Sequence, residues 1–469
     1  MLEGLEVTEI KITDLEFSGR LDSEYYKKYL LDYEQIVRKK QFVSLDQFAK
    51  FLIGPFGSSF DTANYLVNGE YRYVRGQDVK PFVLKDGENR YVPAEDFYRL
   101  AKYSLKERDI LISVVGTLGN ACIVQQKDLP AIFSCKSTVI RTEGINPVYV
   151  LAYLNSKFGK ELLLRKERGA IQKGLNLDDL KTILIPIFSE SFQQKIEALF
   201  NKAQSKLSES KTHYSQAEIL FIQSIGLQYF NPSSKAVNIK RFKDSFGATG
   251  RMDAEYYQVK YDDYDQLVKS YYGGWMPLGE VCELKDKNFI TVDEQEYQYI
   301  ELADIGEAGN ITGCTIAFGK ELPSRARRTV HTGDVIISSI EGSLGSCAIV
   351  RNEFSSSLCS TGFYVINSKR INSESLLVLF KSEPMQNILK RSCSGTILTA
   401  INKNEFLQIP VPIITIDVQQ KLAGLVIESF ELKQKSEQLL ETAKRGVEMA
   451  IEESEERAME WMESQQAFI

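Results

Sequence analysis

The chain has 469 residues, 43% of them apolar, which is enough to form two cores of ordinary domain size. Its formal net charge is −6, and its seven cysteines include no C-x-x-C pair, which argues against a disulfide framework and against a structural zinc site. Apolar runs stay far below the roughly 18 residues that span a bilayer, and the acidic first residues lack the basic region of a signal peptide. We therefore expect a cytoplasmic protein with buried, reduced thiols and no membrane partner.

The first elements predicted in each half of the chain are a helix and several short strands. A tyrosine-rich helix is predicted over residues 24–39 and again over 255–270. Three short β-type segments bounded by glycine predict strands of a mixed sheet, namely YRYVRG (71–76), DILISVVG (109–116) and DVIISSI (334–340).

Helices return further along each half. Apolar periodicity predicts them over residues 148–165 and 373–391. Each is followed by a turn and a short apolar strand that ends at Pro186 or Pro412. The predicted class is α+β.

Two stretches of the chain repeat one another. VVGTLGNACIV (114–124) and IEGSLGSCAIV (340–350) align with a shift of 226 residues, and most of the following sequence keeps this shift. RLDSEYY (20–26) and RMDAEYY (251–257) align with a shift of 231. A repeat of this length is far longer than a solenoid unit, so each copy should be a domain with its own core. Two such domains suggest a ligand with two half-sites, although a duplication retained for stability alone is the alternative.

After each proline, a long helix with a 3.5-residue apolar period is predicted, which is typical of a coiled-coil seam. The two helices cover residues 191–225 and 417–461, and the first should be roughly 50 Å long. The stripes are natural partners for each other, unless each helix packs only on its own domain. The helix positions that we expect to bind a partner are Ile196, Phe200, Leu207, Tyr214, Leu422, Leu425, Leu432 and Leu439.

The predicted architecture is two pseudo-symmetric globular α/β domains separated by two long antiparallel coiled-coil helices. An antiparallel pairing of the helices would place one domain at each end. The predicted boundaries are 1–189 for the first domain, 190–230 for a central helix, 231–414 for the second domain and 415–469 for a C-terminal helix. The segment NPSSKAVN (231–238) is the predicted hinge.

The negative net charge is concentrated at one end of the sequence. Residues 417–469 contain 12 acidic and 6 basic residues, which accounts for the whole surplus of −6. The remainder is neutral, so basic faces that bind nucleic acid can form on the two domains.

Motifs of catalysis and metal binding are missing from the sequence. There is no phosphate-binding loop, no G-x-S-x-G elbow and no H-E-x-x-H. The Asn-Pro-Pro-aromatic motif of amino-directed DNA methyltransferases is missing too, and two histidines, His213 and His331, cannot build a histidine-rich metal site. We expect no catalytic residue, no bound metal and no enzymatic activity of the chain alone.

Several segments carry a family resemblance. LIGPFGSSFDTANYLVNGEYRYVRGQDVK (52–80) resembles the start of a target-recognition domain of a Type I restriction-modification specificity subunit, and DILISVVGTLGNACIV (109–124) resembles its central strand and glycine turn. GAIQKGLNLDDLKTILIPIF (169–188), with QQKI after it, is similar to the end of that domain, and GTILTAINKNEFLQIPVPII (395–414) is a weaker version. The resemblance covers almost the whole chain.

The resemblance implies a DNA-binding subunit without a catalytic site. Each recognition domain would bind one half of a split double-stranded target, while the helices set the gap between the halves and dock two modification subunits. Those partners would bring S-adenosylmethionine and methylate adenine. Restriction subunits would add ATP-driven, magnesium-dependent translocation and cleavage. The chain itself would bind no cofactor.

Base recognition requires side chains with fixed hydrogen-bonding patterns on loops that enter the major groove, and phosphate contacts add affinity. The repeat helps to choose candidates, because Tyr73 recurs as Tyr299 whereas Arg75 is replaced by Glu301. The candidate DNA contacts are Ser58, Ser59, Arg75, Gln77, Lys80, Lys136 and Lys173 in the first copy and Arg325, Arg327, Arg328 and Lys403 in the second.

An alternative function belongs to a different class. The chain could be a coiled-coil scaffold that joins two protein partners through its globular domains without binding DNA. Such a protein would form complexes that are indifferent to DNA, whereas the specificity subunit should bind DNA with a steep salt dependence.

Overall fold

The computed structural model describes residues 7–13, 15, 19–87, 89–169, 171–395 and 399–466, and Ser58 only in its backbone. The chain divides into two compact units. The first unit is Met1–Lys206 with Gln434–Ile469, and the second is Leu207–Lys433. The boundaries between the units lie inside two long helices, Glu190–Ser224 and Ile416–Glu452, so each unit contains a part of each helix.

The first unit combines short strands with helices. Its strands are β1 (Phe42–Ser44), β2 (Ala49–Ile53), β3 (Tyr71–Val74), β4 (Tyr91–Val92), β5 (Ile110–Ser113), β6 (Ala121–Ile123), β7 (Ala131–Phe133), β8 (Ser137–Thr142) and β9 (Leu184–Pro186). Its helices are α1 (Lys28–Arg38), α2 (Ala94–Arg99), α3 (Pro147–Asn155), α4 (Lys157–Leu164) and α5 (Leu177–Lys181), after which α6 (Glu190–Ser224) begins.

The strands of the first unit form two main sheets. One is antiparallel with the order β2-β8-β5-β6, and the other has the order β4-β3-β7, in which β3 and β7 are parallel. Every residue of β5 is buried, as expected for a central strand with both faces covered. The predicted strands at 71–76 and 109–116 are therefore confirmed, but only β3 lies in a mixed sheet, because β5 belongs to the antiparallel one.

The second unit repeats this arrangement. Its strands are β10 (Trp275–Pro277), β11 (Glu283–Leu284), β12 (Glu296–Ile300), β13 (Thr315–Phe318), β14 (Ala326–Thr329), β15 (Val335–Ser338), β16 (Cys347–Ile349), β17 (Leu358–Ser360), β18 (Phe363–Asn367), β19 (Cys393–Ser394), β20 (Ala400–Ile401) and β21 (Pro410–Pro412). Its helices are α7 (Phe246–Thr249), α8 (Val259–Lys269), α9 (Leu278–Val281), α10 (Ser373–Lys381), α11 (Glu383–Arg391) and α12 (Lys403–Leu407), after which α13 (Ile416–Glu452) begins. The sheet orders are β11-β18-β15-β16 and β13-β12-β17-β14.

The repetition extends to single hydrogen bonds. In the first unit, the Leu175 N–H donates to the Val114 carbonyl over 3.0 Å, and the Val114 N–H donates to Lys136 over 2.9 Å. In the second unit, the Ile401 N–H donates to the Ser339 carbonyl and the Ser339 N–H donates to Gly362, both over 2.8 Å. The α+β class and the duplicated domain are thus properties of the backbone as well as of the sequence.

The helices predicted over 148–165 and 373–391 are each two helices instead of one. Ser156 separates α3 from α4, and Ser382 separates α10 from α11. Both serines have extended backbone, with ψ of 163° and 145°, and each hydroxyl donates to the carbonyl three residues earlier over 2.6 Å. A short polar side chain that bonds to its own backbone competes with helix continuation, and this explains the two breaks.

The long helices pair inside the first unit. The Ser436 hydroxyl of α13 donates to the Ala203 carbonyl of α6 over 2.7 Å, and Val447 is buried in the same core as Ile196. The predicted single helix over 417–461 is wrong, because α13 ends at Glu452 and a further helix, α14 (Glu455–Gln466), follows.

Helix α14 packs back on α13 in the first unit. The Ser454 hydroxyl accepts the Arg457 N–H over 3.3 Å, which helps to start the new helix. A Cβ at Gly446 would lie 2.3 Å from the Met462 sulfur, so the glycine makes room for this close packing. The reversal is therefore fixed by a helix cap and a helix–helix contact.

The long helices also pair inside the second unit. The Ser210 hydroxyl of α6 donates to the Ser429 carbonyl of α13 over 2.7 Å, and the Ser429 hydroxyl donates to the Ser210 carbonyl over 2.8 Å. Both serines are almost fully buried. Small residues that bond to the opposite backbone hold the two helices close together at this level.

The state of the cysteines agrees with a further expectation. All seven cysteines are free, five of them buried and two half-buried. Burial raises the pKa of Cys282, Cys347, Cys359 and Cys393 to about 12, so these thiols stay protonated at neutral pH. Among the described residues, none of the helices combines the length and the apolar composition that crossing a membrane requires.

Candidate nucleic-acid interface

Three loops of the first unit come together beside the ends of β3 and β7. A Cβ at Gly54 would lie 2.4 Å from the Ser134 backbone, so the loop that holds Gly54 packs directly on the segment after β7. A Cβ at Gly76 would lie 2.8 Å from the Lys136 Cβ, which places the 3-10 turn Gly76–Asp78 against the same segment. The two glycines have no side chain because backbone or Cβ atoms of the neighbouring loop occupy that space.

Polar side chains from two of these loops are presented to solvent. Gln77, Lys80 and Lys136 are all exposed. Arg75 is different, because its guanidinium is bound to Asp78 by two hydrogen bonds of 3.1 and 2.8 Å and its side chain is only 19% exposed. The structure therefore brings four candidates together, with Arg75 bound to Asp78 beside three exposed side chains.

The remaining candidates of the first unit lie around this cluster. The Ser59 carbonyl accepts a hydrogen bond of 2.9 Å from Arg99, and Ser59 is half-buried. The side chain of Ser58 lies outside the described residues. Lys173 is exposed on the turn after α4, where it pairs with Glu167, and the residue after it bridges to Val115 next to the end of β5.

Two arginines of the second unit are exposed around β14. Arg325 is 60% exposed and lies 3.5 Å from the Glu301 carboxylate. Glu301 takes the place of Arg75, so the charge at this position is reversed between the units and its ion-pair partner comes from a different segment. Arg327 is exposed, and only its carbonyl is engaged, by the Phe289 N–H at 2.6 Å.

The other two candidates of the second unit differ in their surroundings. Arg328 is half-buried, donates to the Phe363 carbonyl over 2.6 Å and lies 5.6 Å from the centre of the Tyr364 ring. This arrangement ties β14 to β18 of the other sheet. Lys403 is exposed at the start of α12 and pairs with Asp286. Arg325, Arg327 and Lys403 are thus available to a ligand at the surface, whereas Arg328 supports the sheet.

Sequence reasoning missed Lys102. In the second unit Thr329 pairs with Leu358, and in the first unit Ser104 forms the equivalent bridge to Ile132. With this alignment, Lys102 is the counterpart of Arg327, and it is exposed. An alignment of the two copies with a shift of 225 residues would have identified Lys102. However, residues 100–103 lack the concentrated positive charge that distinguishes Arg325–Arg328.

The equivalent tyrosines Tyr73 and Tyr299 belong to the framework under these loops. Both are buried, and Tyr73 stacks with Phe60 at 5.3 Å between ring centres. Burial raises the pKa of both phenols, so they remain neutral at physiological pH. They support the loops by packing and carry no charge.

The positions expected to bind a partner along the long helices are mostly inside the chain. Ile196, Phe200 and Leu439 are buried in the core of the first unit, and Tyr214 and Leu422 are buried in the core of the second. Leu207, Leu425 and Leu432 are half-buried. These side chains hold the helices in place, so a protein partner would have to contact other faces of the helices.

Part of the second unit is similar to a known protein family. Residues 273–441 match the model of the Type I restriction modification DNA specificity domain. This stretch contains β10 to β21 of the second unit. Over these residues the chain is similar to the DNA specificity domain of Type I restriction-modification systems. The match confirms the resemblance that the sequence motifs indicated, and it covers the weaker of the two copies.

Solved structures with low sequence identity are also similar to the chain. The Type-I restriction-modification system S subunit from M. genitalium has 14% identity and a TM-score of 0.42, with 88% of this chain and 95% of that chain covered. The HsdS subunit from Thermoanaerobacter tengcongensis has 15% identity and a TM-score of 0.29, with coverage of 88% and 97%. No curated protein matches the sequence significantly.

The fold of the second unit, part of which is similar to the DNA specificity domain, has its structural equivalent in the first unit, since sheet order and hydrogen bonds repeat between them. Over the described ranges, no cluster of three or more His, Cys, Asp or Glu side chains is arranged to hold a metal ion. The candidate surface of each unit consists of exposed Lys, Arg and Gln side chains on a rigid sheet, a combination suited to hydrogen bonding with phosphates and base edges.

Proposed function

We propose that the chain is a non-catalytic DNA sequence-specificity subunit of a Type I restriction-modification complex, and that each unit recognises one half of a bipartite target. The observation that carries the proposal is the match of residues 273–441 to a DNA specificity domain, together with the same sheet order in the first unit. Two recognition folds in one chain provide two sets of base contacts.

The contact residues proposed for the two units differ. Gln77 and Lys136 provide amide and ammonium donors in the first unit, and Arg327 and Lys403 provide cationic donors in the second. An amide side chain suits adenine, whereas a guanidinium suits guanine. Because the equivalent positions carry different side chains on the same framework, the two half-sites have different sequences.

The long helices have two roles in this proposal. They set the number of unspecified base pairs between the half-sites, and their outer faces dock two modification subunits. Methylation and cleavage are carried out by those partners and by restriction subunits, which bring S-adenosylmethionine, magnesium and ATP. Inserting one heptad into both α6 and α13 adds about 10.5 Å of helix. The unspecified gap should then lengthen by about 3 base pairs, at 3.4 Å for each pair.

Sequencing the methylated bases of the host genome with and without this gene tests the function. The expected result is methylation at a motif of two short specified blocks with a fixed gap, and its disappearance when the gene is deleted. An unchanged methylation pattern, together with stable protein complexes that ignore DNA, would support the scaffold function and overturn this proposal.

A further inference from the structure

One edge of the second unit is apolar and acidic, and in the described part of the chain no strand covers it. β13 is the end strand of the sheet β13-β12-β17-β14. Its residues Ile316 and Phe318 are 59% and 41% exposed, and the neighbouring Val292 is 59% exposed. Phe318 lies opposite Glu296 in the register with β12. Residues 293–321 contain seven acidic residues and one basic residue, so this edge repels DNA phosphates.

The first unit shows what kind of segment fits such an edge. There the equivalent end strand is β4, and Leu66 pairs with its residue Tyr91. Two backbone hydrogen bonds of 2.9 and 3.0 Å join them. Through the registers of β4 on β3 and β13 on β12, Tyr91 corresponds to Ile316. The same edge of the same sheet therefore accepts an extended, apolar segment in one unit.

A segment with complementary properties lies elsewhere in the second unit. Residues 235–243 contain four basic residues and no acidic one. Residues 235–240 form neither a helix nor a strand, Ala236 lies in a bend, and Val237 and Ile239 are 72% and 91% exposed. Between them, the Asn238 side-chain amide donates to the Tyr257 carbonyl over 2.8 Å. The side of the segment that carries Asn238 is therefore bound to the second unit.

We propose that residues 236–240 of one molecule add as an extra strand to β13 of a second molecule of the same chain. The exposed apolar residues have the same two-residue spacing in both segments, Val237 and Ile239 in one and Ile316 and Phe318 in the other, as on one face of a β-strand. Apolar pairs across the two strands would stabilise the addition. The Phe318 N–H and carbonyl are already bonded to Glu321, so the backbone hydrogen bonds of this addition come from Ile316, the counterpart of Tyr91.

The opposite charges of the segment and the edge favour a second copy of the chain as the partner. Arg241 and Lys243 follow the apolar pair and are exposed, and Glu294, Glu296 and Glu321 are exposed around β13. Each molecule carries both the segment and the edge, and in the proposed dimer the contact is made twice about a twofold axis. Two short strand pairs form a small interface, so the dimer is weak, and it weakens further as salt rises.

Sedimentation of the full-length chain over a hundredfold concentration range tests the proposal. We expect a reversible monomer–dimer equilibrium, and hydrogen exchange should show new amide protection at 236–240 and 315–318 only at concentrations where the dimer forms. Ile239→Glu places a carboxylate against the acidic edge and should weaken the dimer at least tenfold. The matched control is Ile171→Glu, because Ile171 is a fully exposed isoleucine of the first unit. This variant should dimerise as the wild type does.

A charge exchange and a mixing experiment decide between the possible contacts. Lys243→Glu and Glu296→Lys should each weaken the dimer, and the double variant should recover it. A mixture of Ile239→Glu with Ile316→Glu keeps one intact strand pair and should form heterodimers where neither variant forms homodimers. A chain that stays monomeric at every concentration overturns the proposal. So does a Lys243→Glu variant that dimerises normally but loses affinity for DNA, because the segment would then be a phosphate contact.

Discussion

Asp334 of the second unit takes the position that Asp109 has in the first, but cations from different strands hold the two carboxylates. Asp109 accepts a hydrogen bond of 2.7 Å from Arg141 on β8. Asp334 instead accepts one of 2.7 Å from Lys285, which follows β11, and Asn367 stands where Arg141 would be. Each aspartate also accepts the N–H of the residue three positions before it, over 2.8 and 2.9 Å, which fixes the turn into the central strand. The duplicated fold has kept the buried charge pair and changed the strand that supplies the cation.

This exchange predicts that a lysine at the second unit's cation position can compensate for the loss of Arg141 in the first unit. Arg141→Asn should lower the free energy of unfolding by about 2 kcal/mol, because Asp109 is 2% exposed and would lose its charged donor. Leu52 occupies the position of Lys285, so adding Leu52→Lys should restore part of the loss. Urea unfolding of the single and double variants measures both effects.

The control for the rescue is Leu52→Lys alone. It places a second cation near Asp109 and removes an apolar side chain, so it should not stabilise the protein. If the double variant is no more stable than Arg141→Asn, the two positions do not exchange roles as the registers indicate.

The repeat in the sequence allowed a duplicated α+β unit and several of its strands to be predicted. The same shift of 226 residues that aligned VVGTLGNACIV with IEGSLGSCAIV also relates β6 to β16 and β9 to β21. Breaks in the helices could not be predicted in this way. Ser156 interrupts an otherwise apolar helical pattern through its own backbone conformation, which periodicity does not record.

The candidate surface could be predicted only in part. Gln77 and Lys136 lie close together because Gly54 and Gly76 allow their loops to pack, a tertiary effect that no local pattern shows. A run of charge also misled the assignment, since Arg328 belongs to the same basic cluster as Arg327 but bonds to a backbone carbonyl inside the unit. Which member of a charged run faces solvent depends on strand alternation and twist.

Arg327 and Arg328 should therefore respond differently to replacement by alanine. Arg327→Ala should leave the free energy of unfolding unchanged and weaken DNA binding, with the slope of log K against log salt reduced by about 1 if the contact is to phosphate. Arg328→Ala should lower the free energy of unfolding by about 1 to 3 kcal/mol, because the Phe363 carbonyl and the Tyr364 ring lose their partner.

Binding titrations in the assembled complex at several salt concentrations, alongside thermal unfolding, measure both properties. Lys102→Ala is the matched test in the first unit, and it should behave as Arg327→Ala does. Equal loss of stability in the two arginine variants would show that Arg327 also has a structural role.

The reciprocal bonds between Ser210 and Ser429 predict how the long helices tolerate change. Ser210→Ala should cost about 1 kcal/mol, because one hydroxyl–carbonyl bond is lost while the close packing remains. Ser210→Leu should cost about 1 to 3 kcal/mol, since a branched side chain cannot fit where the serine is 4% exposed. Denaturant unfolding provides the comparison, and Thr212→Leu on the exposed face of α6 is the control that should have little effect. A leucine tolerated equally well at 210 and at 212 would mean that the helices are not closely packed at this level.

Lys160 and its counterpart Gln386 predict a difference in pH dependence. Both donate to a leucine carbonyl, Lys160 to Leu118 over 3.3 Å and Gln386 to Leu344 over 3.1 Å. Burial lowers the pKa of Lys160 below its ordinary value of 10.5. Between the lowered value and 10.5 the unfolded chain binds more protons than the folded one, so the stability of the wild type should rise as pH increases through this window.

Lys160→Gln replaces the ammonium with the neutral donor that the second unit already uses. Its carbonyl bond can be kept and the desolvation of a charge is removed, so at neutral pH the variant should be at least as stable as the wild type. The alkaline gain should be missing from the variant, and the two curves of melting temperature against pH should converge as pH rises. Melting temperatures measured from neutral to alkaline pH give both curves, with Lys157→Gln as the control because Lys157 is held by Glu452. Parallel curves for Lys160→Gln and the wild type would show that burial of Lys160 does not affect its protonation.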